Sequence, residues 1–96
     1  MNAVLSSLSS HLFWNCDVNN LDYKKNKRIV IERIIKYGLE KDIIVMWKIY
    51  SYRTIKKTAI NIDVLEYERI LYFSSMLNIK KEDFKCYKNN RYQKNY

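Results

Sequence analysis

The stretch Asp22-Tyr23-Lys24-Lys25-Asn26-Lys27-Arg28-Ile29-Val30-Ile31-Glu32-Arg33-Ile34-Ile35-Lys36-Tyr37-Gly38 decides the fold class. Val30, Ile31, Ile34 and Tyr37 recur at three- and four-residue steps and share one face of a helix, while Lys25, Arg28, Glu32 and Lys36 fall opposite. Asp22 is of the residue type that accepts hydrogen bonds from the first N–H groups of a helix, so the spacing predicts a helix over about 23–37. Arg28, Glu32 and Lys36 stand at i,i+4 and add only tenths of a kcal/mol. Gly38, the only glycine of the chain, is expected to end the helix in the left-handed conformation.

Outward from that helix, the absence of proline from all 96 residues lets further helices run uninterrupted. A second helix is expected over about 42–50, with Ile43, Met46, Trp47 and Tyr50 inward and Asp42 at its positive end. Ile44, Val45 and Ile49 are strong strand formers, so a strand is the competing reading there. Ser51 is expected to cap a third helix over about 52–60, with Ile55 and Ala59 inward. Asp63 is expected to open a fourth, with Glu66 at capping-box spacing. That helix carries Val64, Tyr67, Ile70, Leu71, Phe73, Ser74 and Leu77 around most of its girth, which places it at the centre of a bundle. Asn78 suits its C-terminal end, and 80–84 suit a short fifth turn. The fold class expected is all-α, a compact bundle of four to five short helices with a flexible basic C-terminal tail. Residues 1–11 form a Ser-rich leader expected to fray, 12–87 a single helical domain, and 88–96 a disordered basic tail.

Composition narrows the function. Hydrophobic residues make up 48% and charged residues 29%, a globular balance. No apolar run approaches the roughly 20 residues that cross a bilayer, and the leader lacks the basic start of a secretory signal. A cytoplasmic setting without a membrane partner is expected. Cys16 and Cys86 are expected to be free thiols there, although spacing alone leaves a disulfide open. The net charge of +8 is uneven: 43–62 hold Lys48, Arg53, Lys56 and Lys57 with no acid, whereas 63–79 hold Asp63, Glu66 and Glu68 against Arg69. Basic zones flanking one acidic helix suit a polyanion or an acidic protein groove, and equally a lysine-rich solvated surface.

The inventory for chemistry is thin. The single histidine, His11, stands five residues from Cys16, and His11, Cys16 and Cys86 show no zinc-ligand spacing. No phosphate-binding glycine loop is present. No catalytic residue, metal or cofactor is assigned, and the chain is expected not to be an enzyme.

Binding is the better reading. Lys24, Lys25, Arg28 and Lys36 on the first helix, with Arg53, Lys56 and Lys57 on the third, offer a basic face. The stretch 42–60 also has the outline of a helix-turn-helix, with Arg53, Thr54, Lys56 and Lys57 on its second helix, but without a glycine at the turn or an exposed Asn or Gln for adenine. In the tail, Lys85, Lys88, Arg91 and Lys94 recur every three residues, interleaved with Tyr87, Tyr92 and Tyr96. Positive charge with stacking rings suits single-stranded nucleic acid, and such composition also suits a plain solvated end. Phe13, Trp14 and Trp47 are large enough to anchor an interface, or to serve as ordinary core aromatics.

Leu12-Phe13-Trp14-Asn15-Cys16-Asp17, then Leu21-Asp22, Ile31-Glu32-Arg33-Ile34-Ile35 and Tyr37-Gly38, resemble an uncharacterised bacterial family that opens on L-F-W-D-x-D and continues with L-D, I-E-R-V-L and Y-G. Tyr50, Ile55 and Phe84-x-Cys86-Tyr87 also match, with Asn15 in place of an acid and Ser51 in place of a glycine. Members are often encoded beside AbiEii-type nucleotidyltransferase toxins. The resemblance implies a place in bacterial defence or toxin–antitoxin loci and brings no catalytic residue. The expectation is a non-catalytic regulator, antitoxin-like or a phage-type anti-CRISPR inhibitor. Its partner would be a nucleic-acid-acting protein (a toxin nucleotidyltransferase or CRISPR effector nuclease), its RNA, or both. The alternative is a helix-turn-helix DNA-binding autoregulator.

Overall fold

A computed structural model describes residues 3–14, 20–89 and 92–93. Most of them are helical, and the all-α class expected from the periodicity holds. The chain divides into two compact units, Met1–Tyr50 and Ser51–Tyr96, so the helical region read as one stretch over 12–87 is shared between them.

The first unit contains α1 (Ala3–Ser6), a 3-10 turn (Ser10–Phe13), α2 (Lys27–Tyr37) and α3 (Glu40–Ile49), with α2 packed on both the turn and α3. Instead of fraying, the leader contributes Leu5, Leu8 and Ser9 to the buried interior. The reason lies far along the chain. The Ser9 N–H donates to Asp42 Oδ1 at 2.8 Å, and the Leu39 N–H donates to Asp42 Oδ2 at 2.9 Å. Asp42, fully buried in the first turn of α3, thus satisfies the start of its own helix and fastens a segment 33 residues away. Burial pushes its carboxyl pKa up, but the N–H groups of Leu39 and Ser9 outweigh that and hold it below the ordinary 3.8. Arg33 Nη1 donates to the Leu12 carbonyl at 3.2 Å and ties the 3-10 turn to α2.

Three details of α2 differ from expectation. Asp22 does not cap it: its Oδ1 accepts from the Lys24 and Lys25 N–H groups at 2.7 and 3.1 Å, folding 23–26 into a separate turn. Asn26 takes the N-cap position of a helix that starts at Lys27. Tyr37 is 45% exposed, and Ile35 joins Val30, Ile31 and Ile34 in the core instead. The buried arc runs from Val30 to Ile35, and Tyr37, in the last turn, lies past its edge. Gly38 is extended (φ −69°, ψ 147°), not left-handed. Its N–H donates to the Ile34 carbonyl at 2.7 Å, and a Cβ at this position would stand 2.4 Å from that same oxygen. Close approach requires glycine here.

α3 is a helix, which settles the strand alternative. Ile43 and Met46 are buried, with Trp47 and Tyr50 half-buried. The Tyr50 hydroxyl donates to the Tyr23 carbonyl at 2.7 Å, and burial pushes its pKa up.

The second unit contains α4 (Tyr52–Ile60), β1 (Leu65–Glu66), α5 (Tyr67–Leu77), a 3-10 turn (Lys81–Asp83), α6 (Lys85–Lys88) and β2 (Tyr92–Gln93). Ser51 caps α4 as expected, its Oγ accepting from the Thr54 N–H at 3.2 Å, and Ile55 and Ala59 face inward. α4 packs on α5, where the Tyr52 hydroxyl donates to the Leu77 carbonyl. Asp63 does not open α5. That helix begins at Tyr67, with Glu66 as an extended N-cap, because Leu65 and Glu66 pair in parallel with Tyr92 and Gln93. Nor is α5 buried on every side: Ile70, Phe73 and Leu77 are enclosed, while Leu71, Tyr72 and Met76 remain exposed. Asn78 ends it in the left-handed conformation (φ 55°, ψ 49°), and the Ile79 N–H returns to the Ser74 carbonyl at 3.0 Å. Phe84 and Cys86 are buried, and Cys86 is a free thiol whose pKa burial pushes up. Cys16 lies outside the described residues. Among the described residues no helix is long and apolar enough to cross a membrane.

Candidate functional site

The first basic surface surrounds the start of α2. Lys24, Lys25, Lys27 and Arg28 are all exposed, and the first turn of α2 holds no acid. A helix presents the equivalent of about half a positive charge at this end, so cations gathered here raise the electrostatic energy of the fold. Local stability therefore does not explain their placement. Asp22, the neighbouring carboxylate, is engaged by backbone: the N–H groups of Lys25 and Lys24 hold its pKa below 3.8. The Lys24 ammonium also rests 5.8 Å from the Tyr23 ring centroid. Lys36, expected to join this face, is occupied otherwise. Its Nζ stands 3.8 Å from Glu32 Oε1, one helical turn back, and 5.9 Å from the Tyr37 ring centroid, so its charge is partly neutralised.

A second basic surface lies on α4. Arg53, Lys56 and Lys57 occupy i, i+3 and i+4 positions, away from the buried Ile55 and Ala59. Arg53 and Lys57 are exposed and Lys56 is half-buried, again with no acid in the first turn. Among the described residues none of Lys27, Arg28, Arg53, Lys56 and Lys57 is held in an ion pair. Thr54 is less available: its Oγ1 lies 2.8 Å from Ser51 Oγ. The two helices of the helix-turn-helix outline, α3 and α4, fall in different units.

The remaining assigned residues are dispersed. Lys85 pairs with Asp63 at 3.2 Å, both well exposed, and Lys88 is exposed at the end of α6. Arg91 and Lys94 lie outside the described residues, and Tyr92 is placed through its strand pairing with Leu65. Of the aromatic anchors, Phe13 is buried in the core and is not available to a partner. Its neighbour Trp14 is 75% exposed, and Trp47 is half-buried. A single step along the 3-10 turn sends one ring inward and the next outward.

For chemistry of the bond-making kind, His11 is exposed and its Nε2 donates to the Tyr37 carbonyl at 2.8 Å, while Cys16 lies outside the described residues. Among the described residues no cluster of His, Cys, Asp or Glu is arranged to hold a metal. Two features escape the sequence reading. Lys27 belongs to the first basic surface, a fact visible in the run 24–28, which only Asn26 interrupts. Lys81 lies near the rings of both Tyr67 and Tyr87, at 6.0 and 5.5 Å from their centroids, a grouping that no local spacing announces.

A family model matches residues 8–59, and the family it describes is one of unknown function (DUF6922). No curated protein and no solved structure matches the chain.

Proposed function

Because the chain belongs to the DUF6922 family, whose function is unknown, we infer its role from its own surfaces: it is a non-catalytic regulator that binds the phosphate backbone of RNA. The observation that carries this reading is a pair of basic surfaces that, among the described residues, are held in no ion pair: the exposed Lys24, Lys25, Lys27 and Arg28 on one unit, and Arg53, Lys57 and the half-buried Lys56 on the other. Lys27 and Arg28 at the positive end of α2, and Arg53 in the first turn of α4, have no acid beside them in that turn and gain most when an anion arrives.

The resemblance of the 12–17 motif to proteins encoded beside nucleotidyltransferase toxins supports a setting in bacterial conflict. There the RNA would be that of a toxin or an RNA-guided effector, and the protein an antitoxin-like factor or an inhibitor of the anti-CRISPR kind. The test is fluorescence anisotropy of labelled RNA across a salt series. Log affinity should fall linearly with log salt. The triple variant Arg53→Glu, Lys56→Glu, Lys57→Glu should bind more weakly with a shallower slope, by about 0.7 for each phosphate of a single strand that it no longer neutralises. A wild-type slope near zero, or an unaltered triple variant, overturns the reading. Preference for duplex from the protein's own promoter over RNA would instead establish the DNA-binding autoregulator.

A further inference from the structure

One cluster in the second unit is not absorbed by the basic surfaces. Tyr67 opens α5, Lys81 lies in the 3-10 turn and Tyr87 lies in α6. The two rings stand 6.4 Å apart, tilted by 30° from parallel, and all three side chains are half-buried. The Lys81 ammonium lies 6.0 Å from one centroid and 5.5 Å from the other. A hydrogen bond to the Tyr67 hydroxyl raises the Lys81 pKa above 10.5.

The backbone beneath this cluster is held firmly. Glu66, just before Tyr67, pairs with Gln93, and Phe84 and Cys86, both buried, seat α6. The 3-10 turn is closed by Asp83 N–H to the Lys80 carbonyl at 2.9 Å and Phe84 N–H to the Lys81 carbonyl at 3.1 Å. Rings carried on ordered backbone bind with little further loss of conformational freedom. Charge alone does not explain an anion site here, since Glu82 and Asp83 share the turn with Lys81 and Asp63 takes Lys85. Any affinity must come mainly from the aromatic surface.

We propose that Tyr67, Lys81 and Tyr87 form a platform on which an unpaired nucleobase stacks, with the ammonium of Lys81 taking the adjoining phosphate. A nucleotide carries its base and its phosphate at a separation comparable to the distance from these rings to Lys81. Stacking accepts every base because every base has a π face, so the site confers preference for single strands without preference for sequence. The flexible stem of lysine allows its ammonium to turn from the rings to a phosphate. This inference rests on the reading of the chain as an RNA-binding protein, and names the form of RNA it takes.

The experiment compares the wild type with Tyr67→Leu/Tyr87→Leu, using a single-stranded RNA of about 12 nucleotides and the matching duplex. The double variant should lose about 5- to 150-fold in affinity for the single strand, keep its duplex affinity and keep its salt slope. Tyr87→Phe, which retains the ring, should bind like the wild type. Equal losses on both RNAs, or none on either, overturn the platform while leaving the basic-surface reading intact. Failure of the wild type to bind either RNA overturns both. As a check that needs no variant, photocrosslinking of 4-thiouridine RNA to the wild type should map to Tyr67 or Tyr87. Crosslinks confined to α2 and α4 refute the platform.

Discussion

Replacement of Asp42 by alanine tests how the first unit is fastened. The fully buried carboxylate accepts two backbone N–H groups, from Ser9 at 2.8 Å and Leu39 at 2.9 Å. Removing the acceptor for Leu39, the N-cap residue of α3, resembles the removal of a helix cap and costs about 1 kcal/mol. The Ser9 N–H belongs to a buried residue, and leaving such a donor unpaired costs about 1–3 kcal/mol. The sum, about 2–4 kcal/mol, is a large part of the margin of a small domain. Asp42→Asn keeps one acceptor oxygen and should fall between alanine and the wild type. Trp14 and Trp47 are the only tryptophans and both lie in this unit, so tryptophan fluorescence during urea unfolding reads it directly. The acid dependence has a definite sign. Because the folded pKa lies below 3.8, the charged carboxylate stabilises the fold above about pH 4, and that contribution disappears as pH falls through the folded value. The wild type should therefore lose stability below pH ~4 more steeply than Asp42→Asn. An alanine variant within about 0.5 kcal/mol of the wild type, or parallel acid profiles for the two proteins, would refute the reasoning.

Two further substitutions separate the structure from the pattern-based reading. Gly38→Ala places a methyl against the Ile34 carbonyl at 2.4 Å, so it should destabilise by about 1–3 kcal/mol in thermal or urea unfolding, where a merely permissive glycine would lose nothing. Asp63→Ala breaks an exposed ion pair with Lys85 and should change stability by less than about 0.5 kcal/mol, whereas a helix-capping Asp63 would cost about 1–2 kcal/mol.

What local pattern foretells, and what it does not, follows the range of the interactions concerned. The core face of α2 at Val30, Ile31 and Ile34, the Ser51 cap and the end of α5 at Asn78 are set by residues within one or two turns, and these are readable. Local spacing misplaces the start of α5 because 65–66 are drawn into extended backbone by 92–93, partners that lie well along the chain. It misjudges the leader for the same cause, since nothing near Ser9 announces Asp42. Gly38 does mark the helix end, but the physical reason is crowding rather than a left-handed turn. The exposed cations are readable because lysine and arginine are seldom buried without partners. The opposite fates of Phe13 and Trp14 are not, because hydrophobicity does not distinguish neighbouring aromatics, and the meeting of Tyr67, Lys81 and Tyr87 is purely tertiary.

The crowding of cations at the beginning of α2 makes ionic strength a structural variable. Proteins knit together by surface ion pairs weaken as salt is added, but here added salt shields mutual repulsion and relieves the start of α2. Dilute buffer is consequently the harshest medium for this fold. A bound polyanion would do what salt does, with higher local density, so occupancy and folding free energy are thermodynamically linked and each strengthens the other.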